Sequence, residues 1–422
     1  MAKLPEHVLI VGGGIIGLSS AHFLSEAGVQ VTVIDQGKIG AACSHGNCGL
    51  INPSHVFPLP RPGAFKNAIK ALLKPNGPFR VQPTLNPQLY FWLLRFARNG
   101  NLKAMRHAGW ARHHLLTFSR EFYRDFISGN QIDCDFEERG CLFVYGKKQT
   151  LDEHDQFDAM MTKEYGVGAE KLTGDELEKM EPAFLPGVAA GAWYYPQDAH
   201  LRADKLIKGW RKLLEERGVQ FREMTRVAEF VPAQSHIKSI EVINVNSNAT
   251  ETLPCDALVI STGSWTPMLN KKLGCKIPIQ PGKGYSLTMP RPEICPTIPM
   301  ILEDEKVAIT PMASGYRLGS TMEFVGYDTT INPKRLELLT KGATKYLRDP
   351  VGKMIEEQWY GWRPMTPNGL PLIGPTPKYQ NVFVAAGHNM IGIMTAPATG
   401  RLVTELILQK QPSIDPKPYA VA

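Results

Sequence analysis

Residues 7–35 constrain this chain more than any other stretch of it. His7 to Val11 is a short apolar run suited to a buried strand. Gly12-Gly13-Gly14-Ile15-Ile16-Gly17 follows, and Ile16, Ser20, Phe23 and Leu24 recur at helical spacing until Gly28 stops the pattern. Val29 to Ile34 then reads as a second strand, ending at Asp35. A strand, glycine turn, helix, strand and acid in this order form the dinucleotide fingerprint in its required context. Gly12 allows the tight turn, Gly14 lets the backbone approach a pyrophosphate at the helix N-terminus, and Gly17 lets helix and strand pack closely. Asp35 lies 18 residues after Gly17, where a carboxylate can hold both ribose hydroxyls of an adenosine.

The rest of the chain must supply what this unit lacks. At 422 residues, two or three domains are expected. The apolar (43%) and charged (21%) fractions exclude global disorder, and the glycines and prolines show no collagen period. Seven cysteines without a CxxC pair point to a reducing, cytoplasmic compartment and to no zinc site. Val8 to Leu24 mimics a signal peptide, but its glycine turn and unbroken continuation into Ser25 and Glu26 favour a retained nucleotide-binding unit. No run reaches the length needed to span a bilayer, since Val382 to Met394 is broken by His388 and Asn389.

Charge is unevenly placed. Between Val56 and Asn130 twelve Lys and Arg face two acids, a local charge of +10 in a chain that totals +7, so the other 347 residues carry −3. Gly63 to Lys74 is amphipathic, with Phe65, Ile69, Leu72 and Leu73 opposing Lys66, Lys70 and Lys74. Pro87 to Gly129 reads as long helical segments with an aromatic stripe at Tyr90, Trp92, Phe96 and Trp110. Two readings stay open: helices packed on the core with solvated basic faces, or peripheral attachment to an anionic membrane surface on the inner face of the cell membrane. No nucleic-acid-binding module is visible, so nucleic acid is not expected as a partner.

Alternating strand patterns at Cys141 to Tyr145, Ala192 to Tyr195, Tyr285 to Met289, Val307 to Pro311 and Tyr316 to Ser320 predict a largely antiparallel sheet assembled from separate stretches. Ala203 to Arg217 is a helix, and Ser261-Thr262-Gly263 closes an apolar strand with a second glycine turn beside the nucleotide site. Val382 to Ala386 leads into GHNMIGIMTAPATG and a helix from about Ala398 to Gln409. That arrangement aims backbone N–H groups at one point, which suits the negative charge collecting on the pyrimidine end of a reduced flavin.

The segments VLIVGGGIIGLSSAHFLSEAGVQVTVID, SHGNCGLINPS, PGKGYSLTMP, GWRPMTPNGLPLIG and AAGHNMIGIMTAPATG, in this order, resemble the D-amino-acid-oxidase-like flavoproteins, and most closely the bacterial D-amino acid dehydrogenases. The resemblance covers nearly the whole chain. It implies an α/β fold with a Rossmann-like FAD-binding domain (1–60, 201–275 and 356–422) beside an α+β substrate domain on an antiparallel sheet (61–200 and 276–355), both discontinuous. It implies FAD-dependent oxidation of an amino acid at its α carbon, with D-proline, D-hydroxyproline, glycine or sarcosine as alternative substrates. A flavin-binding protein without turnover remains the reading from another class. Electrons would pass to a quinone or another acceptor.

Residue by residue, Arg363 in GWRPMTP matches the arginine that clamps the substrate carboxylate in relatives, a task that the planar guanidinium fork suits and a lysine does not. Tyr285 could add a phenol bond to that carboxylate, or be core. His45 could approach the substrate, or be a hydrogen-bonded loop histidine. Contacts to FAD fall to Gly12, Gly14, Ile15, Ile16, Gly17, Asp35 and Gln36; to Ser44, Asn47, Gly49 and Leu50 in the loop over the flavin; to Val227, Thr262 and Gly263; and to His388, Gly392, Ile393 and Met394. Cys43 and Cys48 flank the loop, but relatives with covalent flavin place that cysteine near the C-terminal motif, where this chain has none. Asn368 stands where relatives often carry Asp, so local contacts in that turn transfer less directly.

Overall fold

The computed structural model describes residues 4–63, 77 and 79–421. The amphipathic piece expected from Gly63 to Lys74 lies outside the described residues, apart from Gly63 itself. The chain opens with β1 (His7–Val11), α1 (Ile15–Glu26) and β2 (Gln30–Ile34), as its apolar runs require. Two helices follow, α2 (Pro87–Arg98) and α3 (Leu102–Gly129). Asn86 and Asn101 start them, each side chain accepting a backbone N–H at 3.0 Å. The aromatic stripe divides between them: Trp92 is buried and stacked on Phe96, whereas Tyr90 and Trp110 face outward.

Seen along the sequence, the remaining elements that frame the site are β3 (Cys141–Tyr145), β4 (Gly191–Tyr195), α4 (Ala203–Glu216), β5 (Ala257–Ile260) and β6 (Gln280–Met289). Then come β7 (Met300–Leu302), β8 (Val307–Met312), β9 (Gly315–Phe324), β10 (Glu357–Met365), β11 (Val382–Ala386) and α5 (Gly392–Ile407).

A six-stranded sheet runs in the order Leu372–Pro375, β11, β5, β1, β2, Gln220–Arg222, with only the first strand antiparallel to its neighbour. Its strands are near-continuous Val, Ile and Leu because both faces are covered: α1, α3, α4 and α5 pack on one side and a three-stranded sheet on the other. Gly12 makes the first turn possible. It sits at φ +110°, and a Cβ there would meet the Ser261 carbonyl oxygen at 2.5 Å.

The second sheet has nine strands, with main order β10, β6, β9, β8, β7, β3, β4, Glu170–Thr173. It is mostly antiparallel, as the alternating patterns require, but β7 pairs in parallel with β3, and Phe79–Val81 in parallel with β9. One face packs on the helix Pro333–Thr344. Two segments cross the boundaries drawn from sequence. Strand β10 is an edge of this second sheet although it follows residue 356, and α3 packs into the core of the first sheet although it falls within 61–200.

Helix α5 begins at Gly392, six residues earlier than its sequence suggests, because Pro397 lies inside it rather than before it. A proline has no N–H, so the Ile393 carbonyl four residues back loses its helical donor. The Tyr123 hydroxyl from α3 donates to that oxygen at 2.8 Å, and the proline is accommodated.

Candidate active site

One cavity of about 1000 Å³ runs from the first sheet to the second. At its nucleotide end lie Gly12, Gly14, Ile15, Ile16, Asp35, Gln36, Val227, Thr262 and Gly263. Asp35 accepts Gly13 N–H at 2.7 Å on Oδ2 and Gly37 N–H at 2.8 Å on Oδ1. Each carboxylate oxygen keeps a lone pair for a hydroxyl. Gly14 at the N-cap of α1 has no side chain to offer; Ser44 Oγ takes the Ile15 N–H at 3.2 Å, and the amides of Ile16 and Gly17 have no partner among the described residues, as a pyrophosphate at this terminus needs.

The loop Ala41–Leu50 forms the next wall, where Ser44, Asn47 and Leu50 reach the cavity. Opposite stands α5, which lacks a side-chain cap, so the amides of Gly392, Ile393 and Met394 line the cavity without a partner among the described residues. His388 lies beside them, 2% exposed and bonded to Thr399 Oγ1 at 2.9 Å. Burial drops its pKa to about 3, so it is neutral at ordinary pH. Two helix N-termini with free amides, a ribose-ready carboxylate and a continuous cavity between them fit FAD.

Gly17 and Gly49 depart from the expected contacts. Neither lines the cavity; a Cβ at Gly17 would meet the Gly12 carbonyl oxygen at 2.0 Å, and one at Gly49 the Leu201 carbonyl oxygen at 1.8 Å. Both are glycine because backbone passes there. His45 also turns away from the cavity. Its Nε2 meets Glu357 Oε1 at 2.7 Å, and this bond holds the imidazole above and the carboxyl below their ordinary ranges.

Beyond the loop the cavity is floored by the second sheet, and there Arg363 extends from β10. Its guanidinium lies flat over Gly284 of β6, whose added Cβ would sit 2.0 Å from Nη1. Nη1 donates to the Thr321 carbonyl at 2.8 Å, and Arg363 has no ion pair among the described residues. Thr321 itself stands at φ +50° and Ser320 at φ +135°, backbone that a β-branched residue and a serine seldom adopt. The neighbouring thiols of Cys43 and Cys48 do not balance the cation, since burial pushes both up, Cys43 to about 11. All seven cysteines are free.

Tyr285 does not join Arg363. Alternation along β6 puts Gly284 on the cavity face and the Tyr285 side chain on the other, where its hydroxyl donates to Glu323 at 2.9 Å in a fully buried pair. Tyr285 borders the cavity, but its hydroxyl is committed to Glu323.

Three residues escape sequence reasoning. Trp359 lines the cavity with its ring against the backbone of Gly46 and Gly361. Glu357 anchors His45. Arg317, 1% exposed, donates to the Asn47 carbonyl at 2.7 Å, the His45 carbonyl at 3.3 Å and Thr288 Oγ1 at 3.0 Å, and so fixes the flavin loop onto the sheet. Its one signal is a charge between the apolar Tyr316 and Leu318 of a strand.

A family model described as FAD dependent oxidoreductase matches residues 7–406. The chain belongs to that family. As a member it is an FAD-dependent oxidoreductase. It is 34% identical over 426 residues to the D-amino acid dehydrogenase of Methylobacterium nodulans, with 96% of each chain covered. It is 32% identical to the D-amino acid dehydrogenase of Granulibacter bethesdensis, covering 98% of this chain and 99% of that one. Among solved structures it resembles glycine oxidase from Geobacillus kaustophilus in fold, with a TM-score of 0.77 at 22% identity over 99% and 98% of the two chains.

Proposed function

We propose that this flavoenzyme oxidises D-amino acids at the α carbon, giving 2-oxo acids and ammonia, and passes the electrons to a quinone. The observation that carries the reading is Arg363: a guanidinium without a carboxylate partner, laid flat on Gly284 in the same cavity as the bare N-terminus of α5. A planar fork of donors in that state matches a substrate carboxylate. Two relatives at 34% and 32% identity named D-amino acid dehydrogenase support the substrate class and its handedness.

FAD, when bound, supplies the acceptor for a hydride. The chain's own residues then do the positioning, in which most of the rate lies for such chemistry. Arg363 holds the carboxylate, which fixes the α carbon between the sheet and the Ala41–Leu50 loop. The amides of Gly392, Ile393 and Met394 favour negative charge at the ring's pyrimidine end. Cys43 and Cys48, held as thiols, leave the amine without a charged neighbour on that side. Loss of a hydride from the α carbon of the uncharged amine leaves a protonated imine, and water hydrolyses it to the 2-oxo acid and ammonium.

Helix α2 supports a membrane-borne acceptor. It turns Tyr90, Phe91 (67% exposed) and Leu94 outward, with Arg95 and Arg98 in its last turn, a combination that suits an anionic lipid surface. No helix among the described residues is long and apolar enough to cross a membrane. The test is an anaerobic spectrum of the holoprotein: D-alanine should bleach the flavin band and L-alanine should not. Bleaching by neither acid, or turnover fully matched by peroxide, would overturn the substrate or the acceptor respectively.

A further inference from the structure

The cavity does not end at Arg363. Across the second sheet, Gly319 of β9, Ala308 of β8, Ile301 of β7 and Phe143 of β3 stand side by side in register, and the last three line the cavity. Arg363 bonds to β9, so this row leads from the clamp over three strand spacings, roughly 14 Å. An amino acid held by its carboxylate covers only the first part of that path.

At the far end the arm is walled by aromatic rings. His55 stands 5.5 Å from Phe143, and Phe143 stands 5.1 Å from Tyr195. Above them sits Arg112 of α3, 4% exposed. Its Nη2 donates to the His55 carbonyl at 2.7 Å, its Nε is buried without a partner, and no ion pair reaches it among the described residues. Arg61 lies over the Phe157 ring at 5.2 Å and also lines the arm. Among the described residues the carboxylate that lines the arm, Glu303, is paired to Lys306 at 2.5 Å. His55 and His154 add no charge, since burial takes each to about 4. Arg61 acts on Glu303 only at longer range, so the two arginines face the arm with no ion pair among the described residues.

The geometry points to a second anion subsite: this arm takes the distal acid group of an elongated D-2-amino dicarboxylate, held by Arg112 and Arg61 while Arg363 holds the α-carboxylate. The aromatic wall and the Ala308–Ile301–Phe143 row carry the methylene chain between the two acids. This inference rests on the amino acid oxidation proposed above.

The test compares D-2-aminosuberate with D-2-aminooctanoate, equal in carbon number and differing in the terminal acid. The diacid should have a kcat/KM about tenfold to a hundredfold higher, the scale of a charged hydrogen-bonded contact. Arg112→Met and Arg61→Met should each collapse that ratio towards 1 through KM of the diacid, and should weaken binding of suberate, which carries no amine to oxidise, in a calorimetric titration. Arg61 is half-buried, so its variant keeps the test open if Arg112→Met fails to fold. Equal kcat/KM for the two acids, or a ratio unmoved by Arg61→Met, would overturn the subsite while leaving the reaction intact. Failure of D-alanine and both long acids to bleach the flavin would instead remove the reading on which it rests.

Discussion

Arg317 and Arg363 leave the same sheet, the first fully buried on β9 and the second half-buried on β10 at the cavity, and they serve opposite ends. Arg317 directs donors to Thr288, to the His45 and Asn47 carbonyls and to the Asp204 carboxylate 3.4 Å away. Arg363 makes one hydrogen bond among the described residues, to Thr321. The first is saturated by the protein and therefore structural. The second keeps most of its fork open towards a cavity, although a buried cation is costly to leave unpaired. An unpaired guanidinium on a cavity wall is retained where something outside the chain completes it.

Breaking Arg317 should have the largest effect. Arg317→Met leaves the His45 and Asn47 carbonyls without this donor and Asp204 with Arg202 alone, and removing one partner of a buried charged set typically costs about 3–5 kcal/mol. Urea unfolding of the variant should show that loss, together with weaker FAD retention, because the loop at 45–47 is no longer fixed. A variant with unchanged stability would mean that the contrast between the two arginines is false.

Arg363→Ala should do the reverse. Only the bond to Thr321 is lost from the fold, so the unfolding midpoint should stay near that of the parent protein. Turnover of D-alanine should fall on the order of a hundredfold to a thousandfold in kcat/KM, as expected when the partner of a desolvated carboxylate is removed. Arg363→Lys should recover little of it, since an ammonium cannot make the paired fork. Loss of stability without loss of kcat/KM would return Arg363 to the structural class.

Of this pair, only Arg363 was legible in the sequence, and it was legible through its motif. The glycine turn, Asp35 and both flanking strands follow from period and spacing, because local geometry dictates them. Arg317 could not be read, since its partners at 45, 47, 204 and 288 come from distant segments that only the fold assembles. Tyr285 illustrates the same limit from the other side. Its place in a strand was foreseen, but which face it would take depends on register with β10, and alternation carries it to Glu323 instead of the substrate. The start of α5 was missed because a proline normally ends a helix, and here a tyrosine 270 positions away satisfies the carbonyl it strands.

That tyrosine gives a smaller prediction. Tyr123→Phe leaves the Ile393 carbonyl buried without a donor in the first turn of α5, at a cost of about 1–2 kcal/mol. The loss should appear in urea unfolding of the protein. If Tyr123→Phe matches the parent, the Ile393 carbonyl has another donor and the account of Pro397 fails.

The smallest effect belongs to the pair beside Arg317, His45 and Glu357. Both side chains are about a third exposed, 34% and 36%, so solvent screens them and the pair should contribute no more than about 0.5 kcal/mol. Its sign with pH is fixed by the directions of the two shifts. The imidazole is held above 6.5 in the folded protein, so its contribution is complete below that value and is lost as pH rises through the raised pKa. The carboxyl is held below 4.5, so its contribution is complete above that value and is lost as pH falls through the lowered pKa. The pair is therefore fully formed between 4.5 and 6.5. His45→Gln should lower stability slightly at pH 5.5 and much less at pH 9, with kcat/KM for D-alanine close to the parent's, because His45 faces Glu357 and not the cavity. A large fall in kcat/KM with stability unchanged would place the imidazole against the substrate after all, and would move His45 from the side of Arg317 to the side of Arg363.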